Sequence, residues 1–392
     1  MCVQFFIGPV LAYNGLDEYQ YFMYKMRISE AAYFQYALPA VTLFIIGLHI
    51  NSGKYQGEVV DLKQIEAFVK KNKKIPYLFI IIGLFSSIVG TYFSNDLAFV
   101  FYLLGSLKFI GLFLFIIGTK RLQVLPLIVV IGSIISSSFG NGMFHDLLTW
   151  IIYSASIFAI KYKFDFKIKL IGLSTFIVFA VVLQVLKGNY RAVTGVEKEK
   201  AGVETFAEIY QKENEKKGVF SFENLATSNV RINQGFIITN IMTNVPDKVE
   251  HANGSEMYQI LEAAILPRIL APNKLNAGDR TIFVKYSGIP LTEGTSMGLS
   301  SLGDAYINFG IAGGIVFMFL FGAFYSYVLN VFQKNARQFP ILILFTAMVF
   351  YYPIRPDCEL QTILGHLFKS CFLIFMMIQT WKHTFKAQTI TD

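Results

Sequence analysis

Four arginines, Arg191, Arg231, Arg268 and Arg280, lie in one long polar segment, residues 187–304, of an otherwise apolar chain. A guanidinium group is a planar, permanently charged fork that matches the oxygens of phosphate and carboxylate groups. Arginines grouped outside an apolar helical bundle suit a ligand with an anionic head and an apolar tail. The segment is therefore the first place to look for chemistry.

Two amides follow the second arginine in RINQG at residues 231–235. Apolar residues recur at roughly helical spacing through residues 222–243, which predicts a helix that carries Arg231, Asn233 and Gln234. Gln234 follows Arg231 by three residues and can share its face. The plainer alternative is a surface ion pair of Arg231 with an acidic residue such as Glu223 or Glu256.

Prolines surround the next cationic cluster, in LPR at residues 266–268 and PNK at residues 272–274, before Asp279 and Arg280. Because proline fixes the backbone φ angle, the side chains of Arg268 and Lys274 are aimed rather than carried on a free loop. An equally good alternative is that these cations bind phospholipid headgroups. Asp304 opens the next apolar run, where we expect it to cap a helix and to place a carboxylate at the membrane surface.

The elements that must position these residues are membrane helices. Of the 392 residues, 54% are hydrophobic and only 15% are charged, whereas about a quarter are charged in soluble domains. Apolar runs near the length that crosses a bilayer recur along the chain. We predict an all-α, polytopic transmembrane bundle of about nine or ten spans. Nine are placed at residues 31–50, 76–93, 97–118, 123–139, 147–160, 168–186, 306–332, 339–352 and 361–381.

Lysine and arginine placement predicts how the chain is oriented. Outside the long segment, they concentrate at residues 51–75, 120–121, 161–169, 334–337 and 382–386. Counting spans puts all of these on one side, which the positive-inside rule makes cytoplasmic. The long segment then faces outward, away from the cytoplasm. Because the inner loops explain the net charge of +8, no nucleic-acid partner is indicated.

The chain is predicted to have three parts. These are an N-terminal transmembrane bundle at residues 1–186, an outer loop domain at 187–305, and C-terminal transmembrane helices with a cytoplasmic tail at 306–392. Within the loop domain, helices are predicted at residues 204–217, 222–243 and 255–266, and glycines then indicate an irregular stretch. Gly310 and Gly314 are expected to form a small-residue face for close helix packing.

Few residues outside the loop domain could do chemistry. FHD at residues 144–146 forms an outer turn that contains His145, and Lys108 lies near mid-membrane with no acidic partner in any predicted span. Such an ionisable residue in the membrane is a functional hypothesis by default. The three cysteines are too scattered for a metal site or a disulfide framework. No acidic metal-binding motif is evident, so no metal or other cofactor is expected.

These motifs together resemble those of a known family. RINQG at 231–235, LPR at 266–268 with PNK at 272–274, and TSMGLSSLGDAYINFG at 295–310 are similar to the bacterial O-antigen and exopolysaccharide polymerase-like family. FHD at 144–146 and the apolar first segment that ends in Gly8 and Pro9 also fit it. The resemblance covers most of the chain and is clearest from Arg231 to Gly322.

The resemblance implies a glycosyltransferase of the bacterial inner membrane, with the loop domain at residues 187–305 in the periplasm. Its implied substrates are undecaprenyl-diphosphate-linked oligosaccharides, with membrane lipids and a chain-length regulator as further partners. Negative charge grows on the leaving diphosphate, and fixed arginines would stabilise it without a metal ion. The residues expected to bind the diphosphate are Arg191, Arg268, Arg280 and Lys274. Arg231 is the expected catalytic cation, and Asn233 and Gln234 are the expected sugar contacts. Asp304 is our first choice of general base and His145 our second.

Three other functions stay open at this point. A ligase of the same superfamily would share the fold, the donor and the arginines. A transporter or flippase of lipid-linked glycans is disfavoured by the single one-sided insertion and the absence of repeated halves. A non-catalytic scaffold would use the arginines only to hold lipid headgroups.

Overall fold

A computed structural model of the chain describes residues 1–15, 24–52, 60–93, 95–195, 200–266, 270–276, 278, 280–291 and 297–387, without the side chains of residues 95, 96, 227, 230 and 231. In these ranges the secondary structure is entirely helical, with no β-strand. The α-helices are α1 (Gly8–Tyr13), α2 (Glu30–His49), α3 (Leu62–Lys71), α4 (Ile75–Val89), α5 (Asn95–Gly105), α6 (Leu107–Gly118), α7 (Val124–Asn141), α8 (His145–Lys161), α9 (Phe166–Gly195), α10 (Val203–Lys216), α11 (Phe222–Ile232), α12 (Gly235–Asn244), α13 (Ser255–Ile265), α14 (Arg280–Ser287), α15 (Ser300–Ala336), α16 (Thr346–Val349), α17 (Leu360–Thr380) and α18 (Lys382–Phe385).

Seven helical stretches in the described residues are long and apolar enough to cross a membrane. They are Glu30–His49, Ile75–Tyr92, Leu97–Gly118, Val124–Asn141, Phe166–Gly195, Ser300–Ala336 and Leu360–Thr380. Each coincides with one of the predicted spans. The prediction of an all-α, multi-pass membrane protein is therefore confirmed.

The two remaining predicted spans are shorter in the structure. Residues 147–160 lie in α8, which has 17 residues and is about 26 Å long at 1.5 Å per residue. Residues 339–352 contain a 3₁₀-helix, Pro340–Phe345, followed by the single turn of α16. Every residue of that 3₁₀-helix is buried. This fits the rule that irregular backbone at membrane depth is tolerated only inside protein.

The chain divides into two compact units, which differ from the three consecutive parts that the sequence indicates. The first unit comprises Met1–Gly57, Leu225–Phe332 and Val349–Met376. The second comprises Glu58–Asn224, Gln333–Met348 and Met377–Asp392. Each unit thus combines membrane spans with part of the long polar segment, which is inserted between spans rather than folded apart from them.

In the second unit, the central helix is α6 and the most exposed is α9. All residues from Leu107 to Ile117 are buried, whereas only 6% of the apolar window in Phe166–Gly195 is buried. Close packing against α6 depends on small residues, since a Cβ at Gly111 would lie 2.6 Å from the Pro76 carbonyl oxygen. The apolar and largely exposed helix α9 is therefore suited to contact lipid on most of its sides.

Contacts within the second unit join loops that the sequence places on the same side of the membrane. Lys161, at the end of α8, pairs with Glu66 of α3 and donates to the carbonyl oxygen of Ile117 at 2.7 Å. These three residues lie in or next to lysine-rich loops. At the opposite end of α8, Tyr190 donates to the Phe139 carbonyl oxygen at 2.8 Å, next to a lysine-poor turn. Although α8 is short, one of its ends therefore lies near the lysine-rich loops and the other near a lysine-poor turn, as in the neighbouring helices.

In the first unit, α2 and α15 pack with their backbones in direct contact. A Cβ added at Gly322 would overlap the carbonyl oxygen of Phe44, and one at Gly47 would overlap that of Phe319. Gly314 faces the Tyr36 hydroxyl, as the predicted small-residue face requires, with its added Cβ 2.8 Å away. Gly310 differs from the prediction, because its φ of 65° and ψ of −162° introduce a kink in α15.

Candidate functional site

The RINQG segment is a break between helices rather than part of one. α11 ends at Ile232 and α12 begins at Gly235, and the backbone N–H of Gln234 donates to the Gln4 carbonyl oxygen at 3.1 Å. A Cβ at Gly8 would lie 2.7 Å from the Cα of Asn233. The break lets the first segment of the chain approach this closely. The predicted single helix is therefore wrong here, and the fully buried Asn233 is not placed to reach a sugar in this arrangement.

Asp304 caps a helix, but not the one in which it lies. α15 begins at Ser300, so Asp304 is in its second turn. Its Oδ2 accepts a hydrogen bond from the backbone N–H of Leu360 at 2.7 Å, at the start of α17. With 3% of its surface exposed, it is not the surface carboxylate that we expected. Its role as a general base stays a prediction.

Neighbouring residues of the DAYINFG segment, 304–310, make similar long-range bonds. Asn308 Oδ1 accepts from the Met257 N–H at 3.0 Å, and its Nδ2 donates to the Asp304 carbonyl oxygen at 2.8 Å. Tyr306 donates through its hydroxyl to the Val245 carbonyl oxygen at 3.2 Å. Because the first N–H groups of a helix have no partner within it, Asn308 completes the N-terminus of α13. The segment is a structural junction.

Lys274, a predicted diphosphate ligand, completes the C-terminus of α13. Its Nζ donates to the carbonyl oxygens of Ala263 and Leu266, which are among the last carbonyls of that helix and have no partner within it. The adjacent chain is also held, since Gln361 Nε2 donates to the Leu275 carbonyl oxygen at 2.9 Å. In the structure, Lys274 is thus directed at backbone carbonyl oxygens, and its role as a diphosphate ligand stays a prediction.

Arg280 lies in an open groove on α14 together with a second cation. Arg280, Thr281, Val284 and Lys285 line the groove, whose volume is about 630 Å³. One Nη of Arg280 donates to the Leu291 carbonyl oxygen, which fixes the direction of the guanidinium group. Its Nε is buried and has no hydrogen-bond partner among the described residues. We call this feature the α14 groove.

Lys285, which the sequence analysis missed, is oriented by two residues. Its Nζ lies 3.1 Å from Glu256 Oε1 and 2.8 Å from the hydroxyl of Tyr286, which itself donates to Glu256 at 2.8 Å. The Tyr286 hydroxyl and the Glu256 carboxylate raise the pKa of Lys285 above its ordinary value. The Lys285 side chain is 48% exposed. A charged ammonium group is therefore held at the groove and remains accessible.

A short helical spacing in the sequence could have indicated that Lys285 belongs to this site. The glycines from Gly278 to Gly298 predict an irregular stretch, yet Arg280–Ser287 is helical. In a helix, residues four positions apart are neighbours on the surface. Arg280 and Val284 have this spacing, and so do Thr281 and Lys285.

Arg191 and His145 belong to the second unit, where each lies beside the same turn. Phe139, Phe144, Tyr190 and Phe206 form a cluster in which every pair of ring centroids is within 6.0 Å. This cluster fixes the end of α9, so that Arg191 Cγ would lie 3.0 Å from a Cβ at Gly142. His145 Nε2 is 3.1 Å from Thr149 Oγ1 within α8.

Lys108 has surroundings that the sequence did not indicate. Its Nζ donates to Ser87 Oγ at 3.0 Å, and the carboxylate of Asp146 acts electrostatically on it. Asp146 lies in the first turn of α8, outside the predicted spans. The acidic residue of the FHD turn therefore partly compensates the lysine charge inside the bundle.

Two predicted site residues lie outside what the structure describes. These are the side chain of Arg231 and the whole of Arg268. Their predicted roles are neither supported nor opposed. In the described part of the chain, no group of three or more His, Cys, Asp or Glu side chains is arranged to hold a metal ion.

The fold and the α14 groove define a multi-pass helical membrane protein with a cationic groove in its long polar segment. No protein-family model, no curated protein and no solved structure matches this chain. Its function must therefore be argued from its own residues.

Proposed function

We propose that this protein is a bacterial inner-membrane glycosyltransferase that transfers a glycan from undecaprenyl diphosphate to a sugar hydroxyl of another lipid-linked repeat unit. The observation that carries the proposal is the α14 groove. It combines the oriented cations Arg280 and Lys285 with the apolar side chain of Val284. This combination suits a diphosphate attached to a hydrocarbon chain.

The chemistry follows from where charge develops. Outside the cytoplasm, a donor without ATP must already be activated, and a lipid diphosphate is such a donor. As the bond to the anomeric carbon breaks, negative charge grows on the leaving diphosphate. Arg280 and Lys285 are held by Leu291 and Glu256 before the ligand arrives. Such preorganised groups stabilise the transition state more than the ground state.

The guanidinium group of Arg280 has N–H donors beyond the one that is bonded to Leu291. A guanidinium group carries five N–H donors, and the bond to the Leu291 carbonyl oxygen uses one of them. A buried donor without a partner is unfavourable by about 1–3 kcal/mol. Rearrangement around a bound anion could relieve this penalty at Nε.

The periplasmic position of the groove rests on charge placement. Lysine-rich loops lie on one side of the spans, and the positive-inside rule makes that side cytoplasmic. α14 belongs to the segment between α9 and α15. The same count of membrane spans places this segment on the opposite side of the membrane. The proposal would be wrong if a cysteine at the exposed Lys248 were labelled only from the cytoplasm.

Transfer by the purified protein tests the proposal. Supplied with undecaprenyl-diphosphate-linked oligosaccharide, the parent protein should form a ladder of longer chains. Arg280→Ala and Lys285→Ala should each lower the rate by roughly 10²–10³, by analogy with the loss of one oxyanion donor. Lys248→Ala is the matched control, because it removes an exposed cation of the same segment outside the groove.

The outcomes separate the alternatives. A parent protein that makes no product indicates a scaffold, and unchanged rates in both groove variants would exclude the groove from the reaction. In a deletion strain, accumulation of single repeat units on the carrier supports a polymerase, whereas accumulation of finished polymer indicates a ligase. Arg231→Ala belongs in the same assay, where we expect only single repeat units.

A further inference from the structure

α13 exposes two different stripes, one apolar and one polar. Met257, Ile260 and Ala264 are buried against the first unit. On its exposed side, Tyr258, Leu261 and Ile265 are 70%, 40% and 56% accessible. Their spacing of three and four residues places them on one line along the helix.

The polar stripe lies on the other side of the buried face. Ser255, Gln259 and Glu262 have the same spacing of four and three residues, and none of them is buried. The exposed surface of α13 is therefore divided into an apolar and a polar half. A helix exposed only to water has no need of this division, whereas a helix in the plane of a membrane surface does.

α13 is also tied to the start of a membrane span. Asn308 of α15 accepts the Met257 N–H at 3.0 Å. The backbone N–H of Ala252 donates to the carbonyl oxygen of Ile307 at 2.8 Å. The kink at Gly310 disrupts the helical bonding here, so a carbonyl of α15 is available to the chain that leads into α13.

The apolar surface continues from this junction down α15. Phe309, Ile311, Val316 and Leu320 are all exposed, in a helix apolar enough to cross the membrane. A Cβ at Gly254, the residue before α13, would lie 3.9 Å from the ring of Phe309. The lipid-facing surface of α15 thus begins where α13 is attached.

We propose that α13 is an interfacial helix, which lays the stripe Tyr258–Leu261–Ile265 against the acyl chains of the surrounding bilayer. Its polar stripe then faces water, and Lys285, held by Glu256 of α13, lies at the same membrane boundary. Basic residues at such a boundary are favoured by anionic headgroups. The proposal is independent of the reaction proposed above.

Tryptophan quenching tests this placement. The two native tryptophans, Trp150 and Trp381, are replaced by phenylalanine, and the protein is reconstituted into phosphatidylcholine vesicles brominated near the top of the acyl chains. Leu261→Trp should be quenched at least roughly twofold more than Gln259→Trp, because an interfacial helix buries its apolar face in the acyl boundary. Gln259 is the matched control, as it is exposed on the polar stripe of the same helix.

Tyr258→Trp supplies a second probe on the same stripe, which keeps the test valid if one variant fails to fold. Equal quenching at the apolar and polar positions would overturn the proposal. So would an unquenched Leu261→Trp combined with disulfide-linked dimers of Leu261→Cys in a chain that also carries Cys2→Ser. That result would assign the stripe to a second copy of the chain.

Discussion

Replacement of Asp304 separates its observed role as a helix cap from its predicted role as a general base. In Asp304→Asn, the amide oxygen can still accept the hydrogen bond of the Leu360 N–H, but the proton-accepting carboxylate is lost. In Asp304→Ala, both are lost. Leu360 is fully buried, so its N–H has no access to water as a replacement partner.

The magnitudes follow from the geometry. The bond joins a carboxylate oxygen to a backbone N–H at 2.7 Å, at the first residue of α17. Leaving a buried donor unpaired costs about 1–3 kcal/mol. Asp304→Ala should therefore lower the free energy of unfolding by about 1–3 kcal/mol. Asp304→Asn keeps an acceptor oxygen for the Leu360 N–H and should lose little of this stability.

The assay combines thermal unfolding in detergent with the transfer reaction. Asp304→Asn should unfold within a few degrees of the parent protein, and it should lose its transfer rate because Asp304 is the predicted general base. Asp304→Ala should unfold several degrees lower, at about 2–4 °C for each kcal/mol. Ser301→Ala is the control, because the Ser301 hydroxyl is buried on the same helix without a hydrogen-bond partner among the described residues.

Two results would refute this reasoning. If Asp304→Asn is as unstable as Asp304→Ala, the acceptor oxygen is not what holds α17. If Asp304→Asn folds normally and keeps its transfer rate, the carboxylate takes no part in the reaction and the base assignment is wrong.

Two further predictions concern packing and thiol chemistry. Gly322→Ala should lower the free energy of unfolding by about 1–3 kcal/mol, because its Cβ overlaps the Phe44 carbonyl oxygen and forces α2 from α15. Gly132→Ala, which would meet no atom within 4 Å, should leave the unfolding temperature unchanged or raise it. Burial raises the pKa of the Cys358 thiol to about 12, so the reactive thiolate is scarce at neutral pH and increases as the pH rises. Maleimide should therefore label the exposed Cys2 at least roughly tenfold faster than Cys358 at pH 7, and equal rates would contradict the burial of Cys358.

The membrane helices could be predicted because hydropathy is a local property. A run such as residues 97–118 is apolar whatever it packs against, and the structure has a span with those bounds. α13 was predicted to within one residue, since Pro267 marks its end and apolar periodicity its extent. The 3₁₀-helix Pro340–Phe345 could not be recognised in this way, because the hydropathy of an apolar segment is the same whether the segment contacts lipid or protein.

The roles of individual polar residues depend on contacts distant in sequence. Asp304 was expected to cap its own helix, but its partner Leu360 is 56 residues away. Gln234 was placed in a helix, yet its N–H bonds to Gln4, near the start of the chain. Periodicity carries no information about such partners. The sequence therefore identified polar residues that could do chemistry, but not the backbone groups with which they form hydrogen bonds.

This difference changes where catalysis should be sought. Asn308, in the DAYINFG segment, already accepts a hydrogen bond from the backbone N–H of Met257 in α13. Lys274 likewise donates to two carbonyl oxygens. Arg280 differs, because its Nε lacks a partner in the described structure while the rest of the group is already oriented. A cation that is fixed in direction but incompletely bonded has the capacity that an anionic ligand requires, so the α14 groove is a stronger candidate than Asn308 or Lys274.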